Sequence, residues 1–347
     1  MKKLIKQLEK IVGCTWVVAE PSELDLYCYD ASLDHGNADV VVFPENTLQV
    51  AAIIKLAKQA KIPFTPRGAG TGNSGGAVPQ RGIVISTVRM RRIISIDPVN
   101  RLAVVEPGVI NAELSNAISQ YRLVFAPDPS SYLVSTLGGN AAENAGGPHC
   151  LKYGTTTDHI IALELVTPEG DIAEIGHSCA DTPGPDWVGV LVGSEGLLSV
   201  ITKLTLKLIP RPEEVCNILV GFRGIDEACQ FMWSVLDKFT PATMEFMDRT
   251  TLGVLRETGK VIYPGDVSFV VLIEVDGYSE EVKRQARDIR DIAKTFKAHP
   301  IQIASSDEER EQIWAGRRGV GSALGRSAPA RLSNDVCVPR SKLANIL

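Results

Sequence analysis

Apolar residues in the N-terminal part of the chain change their spacing from one segment to the next. Over positions 47–60 they stand at i, i+3, i+4 and i+7, which is the spacing of one helical stripe: Val50, Ile53, Ile54 and Ala57. Lys55 lies off this stripe, and Thr47 is placed to serve as the N-cap. The short apolar runs 40–43 and 62–65 on either side have the length of buried strands. The spacing therefore predicts a strand, a helix and a second strand in this region.

Further apolar runs predict strands up to residue 208, at 83–86, 93–97, 102–106, 160–167, 171–174 and 199–208. A helix is expected among them at 109–120. After the stretch 210–212, which holds two prolines, strands and helices alternate, at 216–222, 225–239, 267–275, 278–296, 301–304 and 307–324. We therefore expect two domains, 1–211 and 212–347, the second of them a two-layer α+β structure.

Glycine is concentrated in three places, at 66–76, 138–154 and 184–196. The second group falls in the segment 127–154, which has no sustained apolar period, and an irregular segment of that length inside a domain is typically functional. Glycine is favoured where φ is positive or where another group approaches the backbone closely. The three groups are therefore either ordinary turn-rich loops or the contact surface of a large cofactor.

Composition and charge exclude some classes of protein. The chain has 347 residues, 36 of them basic and 41 acidic, which gives a formal net charge of −5. This balance does not fit a general nucleic-acid binder, which needs a basic surface. The longest apolar run, at 268–275, is far shorter than the ~20 residues of a membrane helix. Seven cysteines without a Cys-x-x-Cys pair favour free thiols and a cytoplasmic protein.

Two common nucleotide-binding fingerprints are absent. A Rossmann fingerprint needs a helix directly after its glycines, and the residues that follow Gly72 are more glycines and a proline. A P-loop needs Gly-Lys followed by Ser or Thr, which does not occur in the sequence. A glycine-rich loop without a helix still presents backbone N–H groups to a pyrophosphate. A dinucleotide held by loops is therefore the favoured cofactor.

Four motifs resemble those of the FAD-linked oxidases of the vanillyl-alcohol oxidase superfamily. They are Pro66-Arg-Gly-Ala-Gly-Thr-Gly-Asn-Ser-Gly-Gly-Ala77, Pro127-Asp-Pro-Ser-Ser131, Ser135-Thr-Leu-Gly-Gly-Asn-Ala-Ala-Glu-Asn-Ala-Gly-Gly-Pro-His-Cys-Leu-Lys-Tyr-Gly154, and Leu191-Val-Gly-Ser-Glu-Gly-Leu-Leu-Ser-Val-Ile-Thr202. Within that superfamily the chain resembles the glycolate oxidase FAD-binding subunits and the D-lactate dehydrogenases. The resemblance implies a two-subdomain FAD-binding domain of the p-cresol methylhydroxylase (PCMH) type. It also implies a substrate or cap domain of ferredoxin-like α+β type, of which this chain would hold an incomplete part.

The same resemblance implies a set of FAD-binding residues: Pro66, Arg67, Gly68, Ala69, Gly70, Thr71, Gly72, Asn73, Ser74, Pro129, Ser135, Thr136, Gly138, Gly139, Asn144, Gly146, Gly147, Tyr153, Gly154, Gly196 and Ile201. Family members with covalently attached flavin carry a histidine in the first loop. The matching position here is Thr71, so FAD is expected to be held non-covalently.

For the substrate, Trp314-Ala-Gly-Arg317 resembles a family motif whose arginine contacts the substrate carboxylate, which implies that role for Arg317. A guanidinium binds a carboxylate through two parallel hydrogen bonds and so orients a 2-hydroxy acid. The alternative is that Arg317 and Arg318 are two solvated arginines on a helix. His149 and Cys150 are adjacent but have no partner pair, so no metal site is expected.

The resemblance implies FAD-dependent oxidation of a D-2-hydroxy acid, of the glycolate or D-lactate type, to the 2-oxo acid by hydride transfer to flavin N5. The alternative is a flavin-binding electron-transfer or structural subunit without turnover of its own. An iron-sulfur protein or an electron-transfer flavoprotein is the expected partner, and the chain is expected in the cytoplasm or held at a membrane by such a partner. The family's C-terminal histidines have no counterpart after His299, so a truncated chain, or one completed by another polypeptide, is expected. A second domain with a three-stranded sheet would then leave an apolar face uncovered.

Overall fold

A computed structural model of the chain describes residues 1–177, 184–257, 266–327 and 335–346. These residues form two compact units. The first unit consists of Met1–Gly147 and Gly154–Arg211, and the second of Pro148–Tyr153 and Pro212–Leu347. The short segment Pro148–Tyr153 therefore groups with the second unit, although it lies in sequence between two stretches of the first.

The described elements before residue 212 are short strands alternating with helices. The strands are β1 (Val17–Val18), β2 (Val40–Val42), β3 (Phe64–Arg67), β4 (Ile83–Ser86), β5 (Ile93–Asp97), β6 (Leu102–Val105), β7 (Leu123–Val124), β8 (Ile160–Val166), β9 (Ile172–Gly176), β10 (Val200–Lys207) and β11 (Ile209–Pro210). The helices are α1 (Lys2–Val12), α2 (Pro21–Leu24), α3 (Thr47–Ala60), α4 (Asn111–Ser119), α5 (Leu137–Ala142), α6 (Cys150–Tyr153) and α7 (Trp187–Leu191).

One sheet of the first unit has the strand order β1–β2–β4–β3, and β2, β4 and β3 run parallel. The apolar stripe of α3 is buried against this sheet together with Leu4, Leu8 and Val12 of α1, which confirms the helix predicted at 47–60. Its N-cap is Asn46 and not Thr47, because the Asn46 side chain accepts a hydrogen bond from the Gln49 backbone N–H at 3.0 Å.

The other large sheet of the first unit is antiparallel, with the order β5–β6–β10–β8–β9. Helices α4 and α5 contribute Leu114, Ile118, Leu137 and Ala141 to its core. Helix α5 lies in the segment that shows no apolar period in the sequence. The reason is physical: Leu137, Gly138, Asn140 and Ala141 are buried and the other two residues are half-buried, so this helix of six residues has no exposed polar side to produce a period.

The second unit contains the strands β12 (Glu214–Phe222), β13 (Thr243–Met247), β14 (Phe269–Gly277) and β15 (Ile301–Ile303). Its further helices are α8 (Ile225–Leu236), α9 (Arg249–Glu257), α10 (Ser279–Thr295), α11 (Asp307–Ser327) and α12 (Leu343–Ile346). The sheet order β13–β14–β12–β15 is antiparallel throughout. Without α9, this is the ferredoxin-like arrangement.

The expectation of a two-layer, three-stranded second domain is wrong in two respects. Strand β13 and helix α9 both lie between the predicted elements 225–239 and 267–275, and the sequence prediction omits them. Helices also cover both faces of the sheet: α8 and α10 pack on one face, and α9 and α11 pack on the other. The apolar residues of β14 alternate between these two cores, so neither face of the sheet is left without a packed layer.

Candidate functional site

The glycine-rich loop of the first unit begins where the parallel strand β3 ends, at Arg67. Within the described part of the chain, no backbone N–H from Gly68 to Ser74 donates a hydrogen bond to another residue. The next residue, Gly75, does donate, to the Asp30 carboxylate at 3.0 Å. A run of unengaged backbone donors at the carboxyl end of a parallel strand is suited to bind a phosphate.

Arg67 holds this loop in place from inside. Its side chain is buried, and Nη1 donates to the Ala77 carbonyl at 3.1 Å. Gly70 has φ +69, and a Cβ at that position would overlap the guanidinium. Burial lowers the pKa of Arg67 below its usual range, and the negative charge of Asp30 opposes that shift. The loop is therefore wrapped around a buried cation.

The loop lies against the start of α5. A Cβ at Gly68 would overlap the Thr136 hydroxyl and come within 3.6 Å of the Gly139 Cα. Thr136 is the N-cap of α5 and accepts a hydrogen bond from the Gly139 N–H at 3.3 Å. Gly138 N–H donates to the Pro107 carbonyl at 2.8 Å, and a Cβ at Gly138 would overlap Pro107. The first two glycine groups are thus brought together through α5.

Two buried polar groups beside this contact have no hydrogen-bond partner among the described residues. They are the Ser135 hydroxyl and the Asn140 Nδ2 amide, in residues that are 2% and 3% exposed. Buried polar groups are nearly always hydrogen-bonded, so these two atoms have hydrogen-bonding capacity that a ligand can use. Asn140 is absent from the sequence-predicted set, although it directly follows the predicted Gly138 and Gly139.

An acidic residue also contacts the loop. The Glu143 carboxylate accepts a hydrogen bond from the Ser74 hydroxyl, and a Cβ at Gly72 would lie 3.5 Å from it. Burial raises the pKa of Glu143, the negative charges of Glu195 and Asp30 add to the increase, and the hydrogen bond from Ser74 opposes it. Glu143 is therefore harder to ionise than a free glutamic acid, at a point where the loop presents donors to an anion.

The third glycine group completes this arrangement. Gly196 has φ +74, and a Cβ there would lie 3.0 Å from the Pro66 ring. Gly193 N–H donates to the Ala141 carbonyl at 2.9 Å, and a Cβ on Gly193 would lie 3.2 Å from the Cβ of Asn144. Asn144 itself has φ +48. All three groups predicted from the sequence therefore meet in the first unit, and we call the residues 66–76, 135–144 and 193–196 the cradle.

Other predicted residues lie where the structure gives them packing or backbone roles. The Pro129 carbonyl accepts from the Tyr132 N–H at 2.8 Å, and Ile201 is buried in the core of the antiparallel sheet. A Cβ at Gly147 would lie 2.5 Å from the Asp128 carbonyl oxygen, and Gly154 has φ +80. The remaining predicted positions lie in the loop after β3 or directly before Gly147: Ala69, Thr71, Asn73 and Gly146.

Tyr153, also predicted to bind the cofactor, belongs to the second unit. Its hydroxyl donates to the Asp276 carboxylate at 2.6 Å, and Lys152 pairs with the same carboxylate. Burial raises the pKa of Tyr153, and the hydrogen bond to Asp276 raises it further. Tyr153 therefore remains a neutral donor that ties the segment Pro148–Tyr153 to β14.

A second buried carboxylate on β14, Glu274, is only 6% exposed. It accepts hydrogen bonds from three side chains: His149 Nε2 at 2.8 Å, Asn217 Nδ2 at 2.8 Å and Trp314 Nε1 at 3.1 Å. Burial alone raises the pKa of Glu274, but the hydrogen bond and charge of His149, with the other two donors, outweigh it and lower the pKa. Glu274 is therefore a buried anion.

Arg317, predicted to bind the substrate, lies on α11 one turn after Trp314. Its Nε donates to the Glu245 carboxylate of β13 at 2.6 Å. In the described parts of the chain, neither terminal nitrogen of Arg317 has a hydrogen-bond partner, so both are available for a carboxylate. Arg318 instead pairs with Glu311 on the surface of the same helix.

The described residues contain neither a candidate metal site nor a candidate membrane-spanning helix. No group of three or more His, Cys, Asp or Glu side chains is arranged to hold a metal ion within them. No helix among them has the length and apolar character required to cross a membrane.

Comparison with protein families gives two matches that together cover most of the chain. Residues 38–176 match the FAD binding domain family. Residues 211–347 match the C-terminal domain of the FAD linked oxidases. The first match includes the loop after β3 and α5, and the second includes Glu274 and Arg317.

Three curated relatives are similar over nearly the whole of this chain. The glycolate oxidase subunit GlcD of Bacillus subtilis is 39% identical over 93% of this chain and 69% of its own length. The Escherichia coli GlcD is 36% identical over 89% of this chain and 62% of its own. The D-lactate dehydrogenase of Anaerostipes hadrus is 31% identical over 99% and 75%. The chain thus spans about two thirds of the length of the two GlcD proteins.

Solved structures share the fold at low sequence identity. Alkyldihydroxyacetonephosphate synthase matches with a TM-score of 0.77 and 19% identity over 94% of this chain and 64% of that chain. Substrate-bound p-cresol methylhydroxylase matches with a TM-score of 0.77 and 18% identity over 92% and 68%. The likeness to p-cresol methylhydroxylase agrees with the fold type expected from the sequence.

Proposed function

Because this chain belongs to the FAD-linked oxidases, we propose that it oxidises a D-2-hydroxy acid, of the glycolate or D-lactate type, to the corresponding 2-oxo acid. The observation that carries the proposal is the 39% identity to a glycolate oxidase subunit over 93% of the chain. The likeness to a D-lactate dehydrogenase over 99% of the chain supports the same substrate class. These names favour a hydroxy-acid dehydrogenase over an electron-transfer subunit without turnover.

The cradle fits FAD. The backbone donors from Gly68 to Ser74 would bind the pyrophosphate, and the Ser135 hydroxyl and Asn140 amide would gain the partners that the described residues do not supply. The raised pKa of Glu143 would lessen its repulsion of the phosphates. When bound, FAD supplies the acceptor for the hydride that leaves the substrate Cα. Thr71 is not a nucleophile of the kind that attaches flavin, so we expect the cofactor to be held non-covalently.

Arg317 would bind the substrate carboxylate through its two terminal nitrogens. Glu245 fixes Nε of the same guanidinium at 2.6 Å, so the plane of the fork is set before the substrate arrives. Holding the carboxylate leaves the hydroxyl-bearing carbon with a defined orientation. The prearranged arginine thereby favours 2-hydroxy acids, in which the carboxylate and the reacting carbon are directly bonded.

We further propose that the electrons leave through a partner protein, of the iron-sulfur or electron-transfer flavoprotein type. Two of the relatives are named as subunits, which supports action within an assembly. A cytoplasmic location, or one at a membrane surface through such a partner, remains part of this proposal.

Anaerobic reduction of the bound flavin tests the reaction. Adding D-lactate or glycolate to the protein loaded with FAD is expected to bleach the visible flavin band without any electron acceptor. Arg317→Ala should raise the substrate concentration for half-maximal bleaching about 100-fold, since a charge-assisted bidentate contact is lost. FAD affinity should not change.

Arg318→Ala is the matched control, because Arg318 is on the same helix and pairs only with exposed Glu311 in the described residues. It should bleach at wild-type substrate concentrations. If no 2-hydroxy acid bleaches the wild-type flavin, the proposed reaction is wrong. Loss of FAD from the Arg317→Ala protein would show that Arg317 has been assigned to the wrong ligand.

A further inference from the structure

Strand β14 carries two buried carboxylates on one face of the second unit. Its residues alternate between the two cores, and Glu274 and Asp276 share the face that packs against α9 and α11. They are 6% and 7% exposed. Burying a carboxylate is costly unless hydrogen-bond donors compensate its charge, and both of these carboxylates have such donors.

Glu274 receives its donors from three separate segments of the chain. Asn217 is its direct cross-strand neighbour on β12, so that contact belongs to the sheet itself. His149 comes from Pro148–Tyr153, and Trp314 comes from α11. The His149 and Trp314 rings also lie side by side, with centroids 6.3 Å apart. One carboxylate thus joins two segments that are 165 positions apart in sequence.

The two segments joined by Glu274 are those that carry predicted ligand contacts. His149 stands between Gly147 and Tyr153 in the second glycine motif. Trp314 is three residues before Arg317, and residues at i and i+3 lie on the same side of a helix. Helix α11 is therefore fixed to neighbouring strands at two points, Trp314 to Glu274 on β14 and Arg317 to Glu245 on β13.

We propose that Glu274 is a positioning residue: its carboxylate holds α11 through Trp314 and the segment Pro148–Tyr153 through His149, and thereby sets the orientation in which Arg317 receives the substrate carboxylate. This inference rests on the proposed role of Arg317. Glu274 acts through Trp314 and the helix, and it does not itself contact the substrate. Asp276 has a different task, since its partners Lys152 and Tyr153 lie only in Pro148–Tyr153.

Oxalate binding to the full-length protein loaded with FAD measures this positioning without turnover. Oxalate presents a carboxylate but has no C–H bond from which hydride is removed. Glu274→Gln keeps the size of the side chain and removes its charge, and is expected to raise the oxalate Kd about tenfold, the effect of losing one charged hydrogen bond. Glu274→Gln should also raise KM for the 2-hydroxy acid more than it lowers kcat.

A double-mutant cycle with Arg317→Ala separates positioning from a general structural effect. If Glu274 acts through Arg317, Glu274→Gln causes no further loss of oxalate affinity when Arg317 is already alanine. Losses that multiply in the double variant overturn the proposal, as does wild-type affinity in Glu274→Gln alone. Trp314→Phe removes the indole donor and keeps a ring, so it repeats the test if Glu274→Gln does not fold.

Glu164→Gln is the matched control. Glu164 also lies on an inner strand, β8, and accepts hydrogen bonds from three side chains, Thr47, Thr202 and Lys203, but it belongs to the first unit. The oxalate affinity of the Glu164→Gln protein should equal that of the wild type. Oxalate binding without any bleaching by 2-hydroxy acids would contradict the proposed reaction alone. A wild-type protein that binds no oxalate would contradict the roles assigned to Arg317 and Glu274.

Discussion

Two side chains in the cradle bury polar groups that a ligand can use as hydrogen-bond partners. Ser135 and Asn140 bury polar atoms that find no partner in the described chain, and Glu143 is held next to a loop lined with donors. Unsatisfied groups of this kind cost stability, and a native protein retains them where a ligand uses them. Replacing such a group should therefore weaken ligand binding and leave the protein without ligand equally stable or more stable.

Ser135→Ala tests whether FAD affinity falls while the stability of the apoprotein does not. Without FAD, the free energy of unfolding should stay unchanged or rise by up to about 1 kcal/mol, because a buried unsatisfied hydroxyl is removed. The FAD Kd should rise about tenfold, because one ligand hydrogen bond is lost. Chemical denaturation of the apoprotein and titration with FAD measure the two quantities.

Ser115→Ala is the control for that experiment. The Ser115 hydroxyl donates to the Asn111 carbonyl at 3.1 Å within α4, so it already has the partner that the Ser135 hydroxyl lacks among the described residues. Its loss should cost about 1 kcal/mol of stability at most and leave FAD affinity unchanged. A Ser135→Ala apoprotein that is destabilised and binds FAD normally would refute a ligand role for this hydroxyl.

At the scale of elements, short connections carry most of the candidate site. Helix α5 is buried on nearly every side, its N-cap Thr136 faces the first glycine loop, and its C-cap is Glu143. Burial raises the pKa of Glu143, and the negative charges of Glu195 and Asp30 raise it further, so several elements contribute to the shift. The folded state therefore binds the Glu143 proton more tightly than the unfolded state does.

The sign of the pH effect follows from that shift. A raised folded pKa contributes stability that is fully present below the usual value of 4.5 and is lost as pH rises through the folded pKa. Glu143→Gln removes this loss. The variant should match the wild-type stability near pH 4, exceed it increasingly as pH rises, and reach a constant advantage above the raised pKa. Denaturation midpoints across that pH series measure the difference.

Glu113→Gln should show the opposite dependence. The hydrogen bond from Arg91 lowers the pKa of Glu113, so this carboxylate contributes stability above pH 4.5 that is lost as pH falls. The variant should therefore be less stable than the wild type near neutral pH and similar to it in acid. A Glu143→Gln variant that follows this second pattern would contradict the burial assigned to Glu143.

At the scale of the molecule, each unit has hydrophobic cores of its own. Those of the first unit surround its parallel and antiparallel sheets, and those of the second lie on the two faces of the β13–β14–β12–β15 sheet. The cradle lies in the first unit, whereas Arg317 and Glu274 lie in the second. Cofactor and substrate should therefore stabilise different parts of the chain.

Calorimetry with and without FAD tests this separation. Two unfolding transitions are expected, and FAD at 100 times its Kd should stabilise one of them by about 2.7 kcal/mol and leave the other unchanged. Ser135→Ala should reduce that shift at the same FAD concentration. A single transition that FAD displaces as a whole would show that the two units unfold together.

Sequence patterns predicted most of the local elements, and they failed where the deciding partners are distant in sequence. The assignment of the glycine loops to a ligand stays a prediction. The stripe of α3 is visible in four residues, because a surface helix must alternate its faces. Helix α5 shows no such stripe, because none of its six residues is fully exposed. The sequence analysis omits strand β13, a run of only five residues that closely follows helix α8. Asn140 was missed because only its burial shows that its amide lacks a partner.

The sequence by itself determined the three glycine groups and most of the strands and helices, and its resemblance to a family is the basis for expecting FAD at the glycine loops and the substrate at Arg317. Strands, helices and glycine-rich turns depend on φ, on short-range periodicity and on residue type, all of which are local. Only the tertiary structure decided that Pro148–Tyr153 groups with the second unit and that helices cover both faces of its sheet. It alone placed His149 and Trp314 on one buried carboxylate, because the donors that compensate a buried charge come from any part of the chain that folding brings near.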